Sequence, residues 1–390
     1  MKIKCYFLIL TFILIFSCRP VVRSIYEFDP RTIKEEEFTL SEIADDISYI
    51  PLDNIFPLGR IPKTVIIKNA IYINPVNTGL LRYDREGRFL NKIGKIGRGP
   101  GEYINYMHFC VDDKTGKVFN VSNRNELIQV FSGNGEFIRS YLLKDYGTGV
   151  ENVLFYNSQL FVQCIIEWKD TDYEWIIYDT TGSIIKKRNR HLPKFDTNSS
   201  GAGYPYIFED KLTYYNNWTD TIFSILPDLE EIPSMIMNPG EHRFPRAYVP
   251  INQIMQKKYF SLSRIFETKR FIIIKYYYQK YSIAFIDKQN RKVLLNYHDW
   301  DEGVDGHQIG GIINDLDGGL RFIPDSYFAE DDREYLVGMQ YPIEIKAHAN
   351  RNEFKNSYSA LPMKKLEFER LAKSLEETDN PILVLVKLKK

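Results

Sequence analysis

A hairpin signature returns along this chain at a nearly constant interval. Tyr83-Asp84-Arg85-Glu86-Gly87-Arg88-Phe89, Phe131-Ser132-Gly133-Asn134-Gly135-Glu136-Phe137 and Tyr178-Asp179-Thr180-Thr181-Gly182-Ser183-Ile184 align on glycines 48 and then 47 residues apart. Each copy reads as an aromatic ending one strand, a tight turn whose Gly takes a positive φ, and an outgoing strand. Weaker copies end at Phe223-Ser224-Ile225-Leu226-Pro227-Asp228 and at Phe285-Ile286-Asp287-Lys288-Gln289-Asn290-Arg291, where Asn290 stands in the glycine's place. About four short Ile-, Val-, Tyr- and Phe-rich strands fit each period, and such units bury their apolar faces only by stacking on one another. The pattern predicts an all-β, six-bladed β-propeller with four-stranded blades.

Five blades follow from the turns near 87, 135, 182, 227 and 290, and the C-terminal stretch supplies the sixth. There Tyr335 to Ala347 reads as strand. Lys364 to Glu377 reads as a helix with Leu366, Leu371 and Leu375 on one face, and Pro381 to Leu388 as a final buried strand. A closed ring leaves no free sheet edge, so the early run Ile47-Ser48-Tyr49-Ile50-Pro51-Leu52 is expected to join the C-terminal blade. A propeller closed in this way needs no partner copy, and a monomer is expected.

At the N-terminus, Lys2 and Lys4 precede an apolar run from Cys5 to Phe16, too short for a retained spanning helix and built like a secretory signal. Ile15-Phe16-Ser17-Cys18 resembles the lipobox of bacterial lipoproteins. That resemblance implies cleavage before Cys18 and lipid attachment to it, with membrane anchoring through the acyl chains. The implied organisation is a signal peptide at 1–17, a lipidated tether at 18–37 and the propeller at 38–390. Arg19 behind Cys18, without an acidic run, points to the periplasmic face of the outer membrane. The remaining cysteines, Cys110 and Cys164, sit in apolar strand-like runs and read as two buried thiols in preference to a disulfide.

Within the repeats, Gly94-Lys95-Ile96-Gly97-Arg98-Gly99-Pro100-Gly101-Glu102-Tyr103, then Val111 to Phe119 with its Asp-rich turn, then Asn125-Glu126-Leu127 resemble the NHL repeat, with Glu126 in the place of the usual His. The Gly97–Tyr103 loop and the Asn314–Gly319 segment, taken together, resemble the six-bladed propeller lipoproteins of Bacteroidetes over roughly Ile47 to Leu388. The resemblance implies a cell-envelope propeller and no settled activity.

Function classes narrow from here. With 51 basic and 51 acidic residues the chain has no long-range attraction for phosphate backbones, so a nucleic-acid partner is not expected. The Gly94–Tyr103 loop lacks a following helix and a Lys-Ser/Thr end, so it reads as an inter-blade connection and not a phosphate cradle. The best candidate site is the polar stretch His298, Asp299, Asp301, Glu302, Asp305, His307, Asn314, Asp315 and Asp317. Such a density of oxygen ligands suits a divalent cation, Ca²⁺ among them, although the EF-hand spacing is missed and Asx turns would use the same residues. His307, Asn314, Asp315 and Asp317 are the ligands to test. Trp168, Tyr173, Trp175, Trp218 and Trp300 could stack sugars or pack between blades. The basic run Lys186 to His191 reads as a solvated blade edge, with anionic lipid headgroups as the other option. Two readings result: an anchored binding or scaffolding module for a peptide, glycan or protein partner, or a divalent-metal-dependent hydrolase or lyase centred on the channel.

Overall fold

The computed structural model describes residues 25–34, 36–104, 107–122, 127–143, 149–164, 172–193, 195, 203–250, 259–300 and 308–390. Six antiparallel sheets form a ring, as the repeat predicts. Blade 1 runs from Lys63–Ile67 to Phe89–Ile93, blade 2 from Met107–Val111 to Phe137–Leu142, and blade 3 from Val150–Tyr156 to Ile184–Asn189. Blade 4 starts at Tyr206–Phe208 and blade 5 at Ser261–Glu267. Blade 6 joins Ser326–Glu330 and Arg333–Gln340 to the C-terminal strand Ile382–Leu388. Its fourth strand is Ala44–Pro51, antiparallel to Ile382–Leu388 with Ile47 opposite Val386. The N-terminal strand therefore closes the ring where the sequence placed it.

The repeated turn glycines have a shared steric reason. Gly135 has φ +87°, and a Cβ built on it would lie 2.0 Å from the Lys92 carbonyl oxygen on the outer strand of blade 1. The Gly94 N–H donates to the Gly135 carbonyl at 3.1 Å. Gly87 meets the Pro51 carbonyl of blade 6 in the same manner, and Asp53 N–H donates to Gly87 at 2.9 Å. Each of these turns seats its backbone on the preceding blade, at a distance only glycine permits. In blade 5 the left-handed residue is Arg291 (φ 64°), not Asn290. The turn there is one residue longer, from Asp287 to Lys292, and Asn290 instead accepts from Lys292 N–H at 2.8 Å.

Three other expectations change. The stretch read as a tether is taken up by the sheet ring from Tyr26 onward: Tyr26–Phe28 adds a parallel fifth strand to blade 4 against Met235–Met237. Glu36 then bridges to Leu295 and Thr39 to Ile313, so the segment crosses blades 4 and 5 before entering blade 6. It is retained because Phe28 and Phe38 are fully buried, Phe38 edge-on to Phe285 at 5.1 Å. After Gln340 the chain turns helical at Pro342–Asn350, not extended to Ala347, because Pro342 pre-sets the first helical turn. In the helix Pro362–Ser374 the buried residues are Phe368 and Ala372, whereas Leu366 is exposed. The helix turns its aromatic toward Phe354 and Tyr49.

Candidate functional site

The first strand of every blade faces the axis, and these inner strands enclose a cavity of about 450 Å³. A second, of about 440 Å³, shares Lys63, Val65, Leu154 and Ile207 with it, so the two open on one axial channel. Most of the wall is what an inner strand supplies, alternate apolar side chains such as Val65, Leu154, Ile207 and Phe266.

Four charged groups interrupt it: Arg60, Lys63, Arg264 and Asp325. Lys63, at the start of blade 1, reaches across to blades 2 and 3 and donates from Nζ to the carbonyls of Phe109 at 2.7 Å and Val153 at 3.2 Å. Burial pushes its ammonium down to about 8; the Cys110 thiol opposes that and the Arg264 charge adds to it. Arg264, on the inner strand of blade 5, lies over the Tyr204 ring at 4.1 Å and makes no hydrogen bond or ion pair among the described residues. Asp325, at the entry to blade 6, accepts from Lys275 of blade 5 at 2.7 Å. Burial alone would raise the Asp325 carboxyl, but Lys275 and Arg264 outweigh it and hold it below the ordinary carboxylate range. Two imidazoles near these cations are kept neutral. His108 is pushed down to about 4 by burial and by Lys63, and His298 to about 4 by burial and by Lys275. Tyr204 and Tyr341 are the exposed aromatics of the lining.

The loop singled out from the sequence lies between blades 5 and 6. His307, with Asp301, Glu302 and Asp305, lies outside the described residues, as do Cys18, Trp168, Asn125 and Glu126. Asp315 accepts from Ser41 N–H at 2.8 Å and from Ser41 Oγ at 2.5 Å. Asp317 is fully buried and accepts from Tyr49 OH at 2.8 Å, Asn314 Nδ2 at 2.7 Å and Gly319 N–H at 2.8 Å. Burial raises its carboxyl despite those three donors. Ser41 and Tyr49 flank and occupy the ring-closing strand, so Asn314, Asp315 and Asp317 join the inter-blade loop to it. Among the described residues no group of three or more His, Cys, Asp and Glu side chains is gathered as a metal would require.

The other candidates take structural places. Trp175 packs on Phe161 and Tyr214, and Trp218 on Phe195 and Phe244, both fully buried and unavailable to a sugar face. Tyr173 lies under Lys187. In the basic run Arg188 pairs with Glu174 and Glu231, and His191 with Glu174. The Gly97–Tyr103 loop does connect blades 1 and 2, folded over the Glu102 carboxylate, which accepts from Gly99 N–H at 2.8 Å. Cys110 and Cys164 are free and buried. The channel cations went unforeseen because nothing local marks them: Lys63 opens its strand, and Arg264 stands among Ser261, Ser263 and Glu267 in an ordinary mixed strand. The run Phe271-Ile272-Ile273-Ile274-Lys275 is the one place where an intruding charge was visible.

The family described as Domain of unknown function (DUF4934) matches residues 25–387. No curated protein matches the sequence. Among solved structures, a protein of Bacteroides fragilis described as exported is 18% identical, with a TM-score of 0.67 over 94% of this chain and 100% of that one. A Bacteroides vulgatus member of the DUF4221 family is 13% identical, with a TM-score of 0.49 over 89% of this chain and 97% of that one. No helix among the described residues is long and apolar enough to cross a membrane.

Proposed function

The chain belongs to the DUF4934 family, and we propose that it is an envelope-anchored lipoprotein whose NHL-like propeller serves as a binding module with its ligand site in the axial channel. The observation that carries the binding reading is the channel itself. Polar groups from blades 1, 3, 5 and 6, together with Tyr204 ahead of blade 4, converge with Val65, Leu154, Ile207 and Phe266 on a cavity of about 450 Å³, the mixed lining usual for a small-ligand site. The signal-like N-terminus, the lipobox ending at Cys18 and the exported description of the similar Bacteroides fragilis protein support an envelope location, and Arg19 behind Cys18 without an acidic run favours the periplasmic face of the outer membrane. The Gly97–Tyr103 loop supports the NHL-like assignment.

Two measurements test this. Cys18→Ala should move the protein from the membrane fraction to the soluble periplasm; a wild type that is already soluble refutes the anchor. Native mass spectrometry of the soluble form beginning at Arg19, purified from periplasm, should show a retained organic ligand or partner. A divalent ion lost to chelator would favour the metal-dependent hydrolase or lyase instead.

A further inference from the structure

Resting on the channel as the binding site, we infer that its ligand is an organic carboxylate with an apolar body, held between Lys63 and Arg264. The lining carries Arg60, Lys63 and Arg264 as cations and Asp325 as its carboxylate. Lys275 already neutralises Asp325 at 2.7 Å, and no ion pair among the described residues engages the three lining cations. An apolar-walled cavity with uncompensated positive charge is completed by an anion.

The donors define which anion. Lys63 directs two of its three N–H bonds at backbone carbonyls, leaving one for a ligand. Arg264 is oriented by the Tyr204 ring, yet its forked N–H donors meet no acceptor among the described residues. A planar guanidinium fork matches a carboxylate bidentately, with the lysine as a second point charge. Beside these cations the wall mixes Val65, Leu154, Ile207, Phe266, Met339 and Leu383, which take the ligand's apolar body, with polar Thr64, Asn152 and Ser326. A phosphate ester or nucleotide would set more oxygens against the apolar side chains than those few groups can satisfy. A fatty acid and the C-terminus of an apolar peptide share the required chemistry.

Calorimetric titration of the soluble full-length mature protein with octanoate, octanol and octylammonium, and with N-acetyl-dileucine and its amide, tests the assignment. At least one carboxylate should bind, at least tenfold tighter than its uncharged or cationic counterpart, and which one binds separates the fatty-acid source from the peptide source. Folded Arg264→Gln and Lys63→Met variants should each weaken that carboxylate tenfold or more. The wild-type comparison stands alone should either variant fail to fold. Octanol, octylammonium or the amide binding as tightly as the carboxylate overturns the inference while leaving the channel a binding site. Binding of none of the five probes also overturns it, and the native mass spectrum then decides the broader reading separately.

Discussion

Replacing Gly135 by Ala should loosen the seam between blades 1 and 2, by an amount the geometry sets. A Cβ residue at φ +87° carries a left-handed penalty of about 1–2 kcal/mol. The new methyl group would also stand 2.0 Å from the Lys92 carbonyl oxygen, a backbone atom that cannot rotate away. Relieving that contact moves the turn off blade 1 and breaks the hydrogen bond from Gly94, about 1 kcal/mol more. The total is about 2–3 kcal/mol. Unfolding entropy near 2.1 cal/mol/K per residue, over on the order of 360 folded residues, is about 0.76 kcal/mol/K, so the melting temperature should fall by about 3–4 °C. Gly116→Ala is the control: its φ is +69°, but nothing lies within 4 Å of the added Cβ. That variant meets the backbone penalty alone and should lose about 1–3 °C. Scanning calorimetry of the two variants beside the wild type reads the difference. Equal shifts would refute the argument that the repeated glycine exists for inter-blade seating.

Other perturbations test other parts of the structure. Because Lys63 titrates near 8 when folded and at its ordinary 10.5 when unfolded, the unfolded chain binds more protons between those values. The lysine's own contribution to stability therefore rises with pH across that window by on the order of 2 kcal/mol, against the opposite slope of the buried thiols and tyrosines, so the stability of Lys63→Met relative to wild type should fall by about that amount between urea unfolding at pH 7.5 and at pH 10. Tyr49→Phe removes a donor from the buried Asp317 carboxylate and should cost about 1–3 kcal/mol in urea unfolding, with an unchanged midpoint counting against the closure role. Burial pushes the Cys110 and Cys164 thiols up to about 12, so a thiol reagent at pH 8 should label neither until denaturant is added.

What the sequence disclosed follows the range of each signal. Gly87, Gly135 and Gly182 are local turn requirements repeated in register, so the blades were countable, and Ile47–Leu52 could be placed because a ring leaves one sheet edge to cover. The turn shift to Arg291 and the helix at Pro342 are departures of a few residues, decided by loop length and by one proline. Arg264 and Lys275 are partners across one hairpin of blade 5, but Asp325 meets Lys275 from the next blade and Lys63 joins them only through ring closure, and no spacing rule links positions so far apart. For Asn314, Asp315 and Asp317 the density of acceptors was plain, but not the donors, since Ser41 and Tyr49 lie 274 and 268 residues away from the carboxylates they meet.

The closing strand also sets the order in which this protein can become itself. Ala44–Pro51 is synthesised roughly 330 residues before its partner Ile382–Leu388. At about 5–20 residues per second the wait is roughly 15 to 70 seconds. Throughout it, a strand carrying Ile47 and Tyr49 presents an unpaired edge to every other nascent chain nearby. The five remaining sheets can assemble behind it as an arc, but an arc is not a ring, and the ring is not closed until the final strand arrives to join Arg333–Gln340 to Ala44–Pro51. Until that strand arrives, in synthesis or after export, the edge of Ala44–Pro51 is the part of the chain most in need of cover.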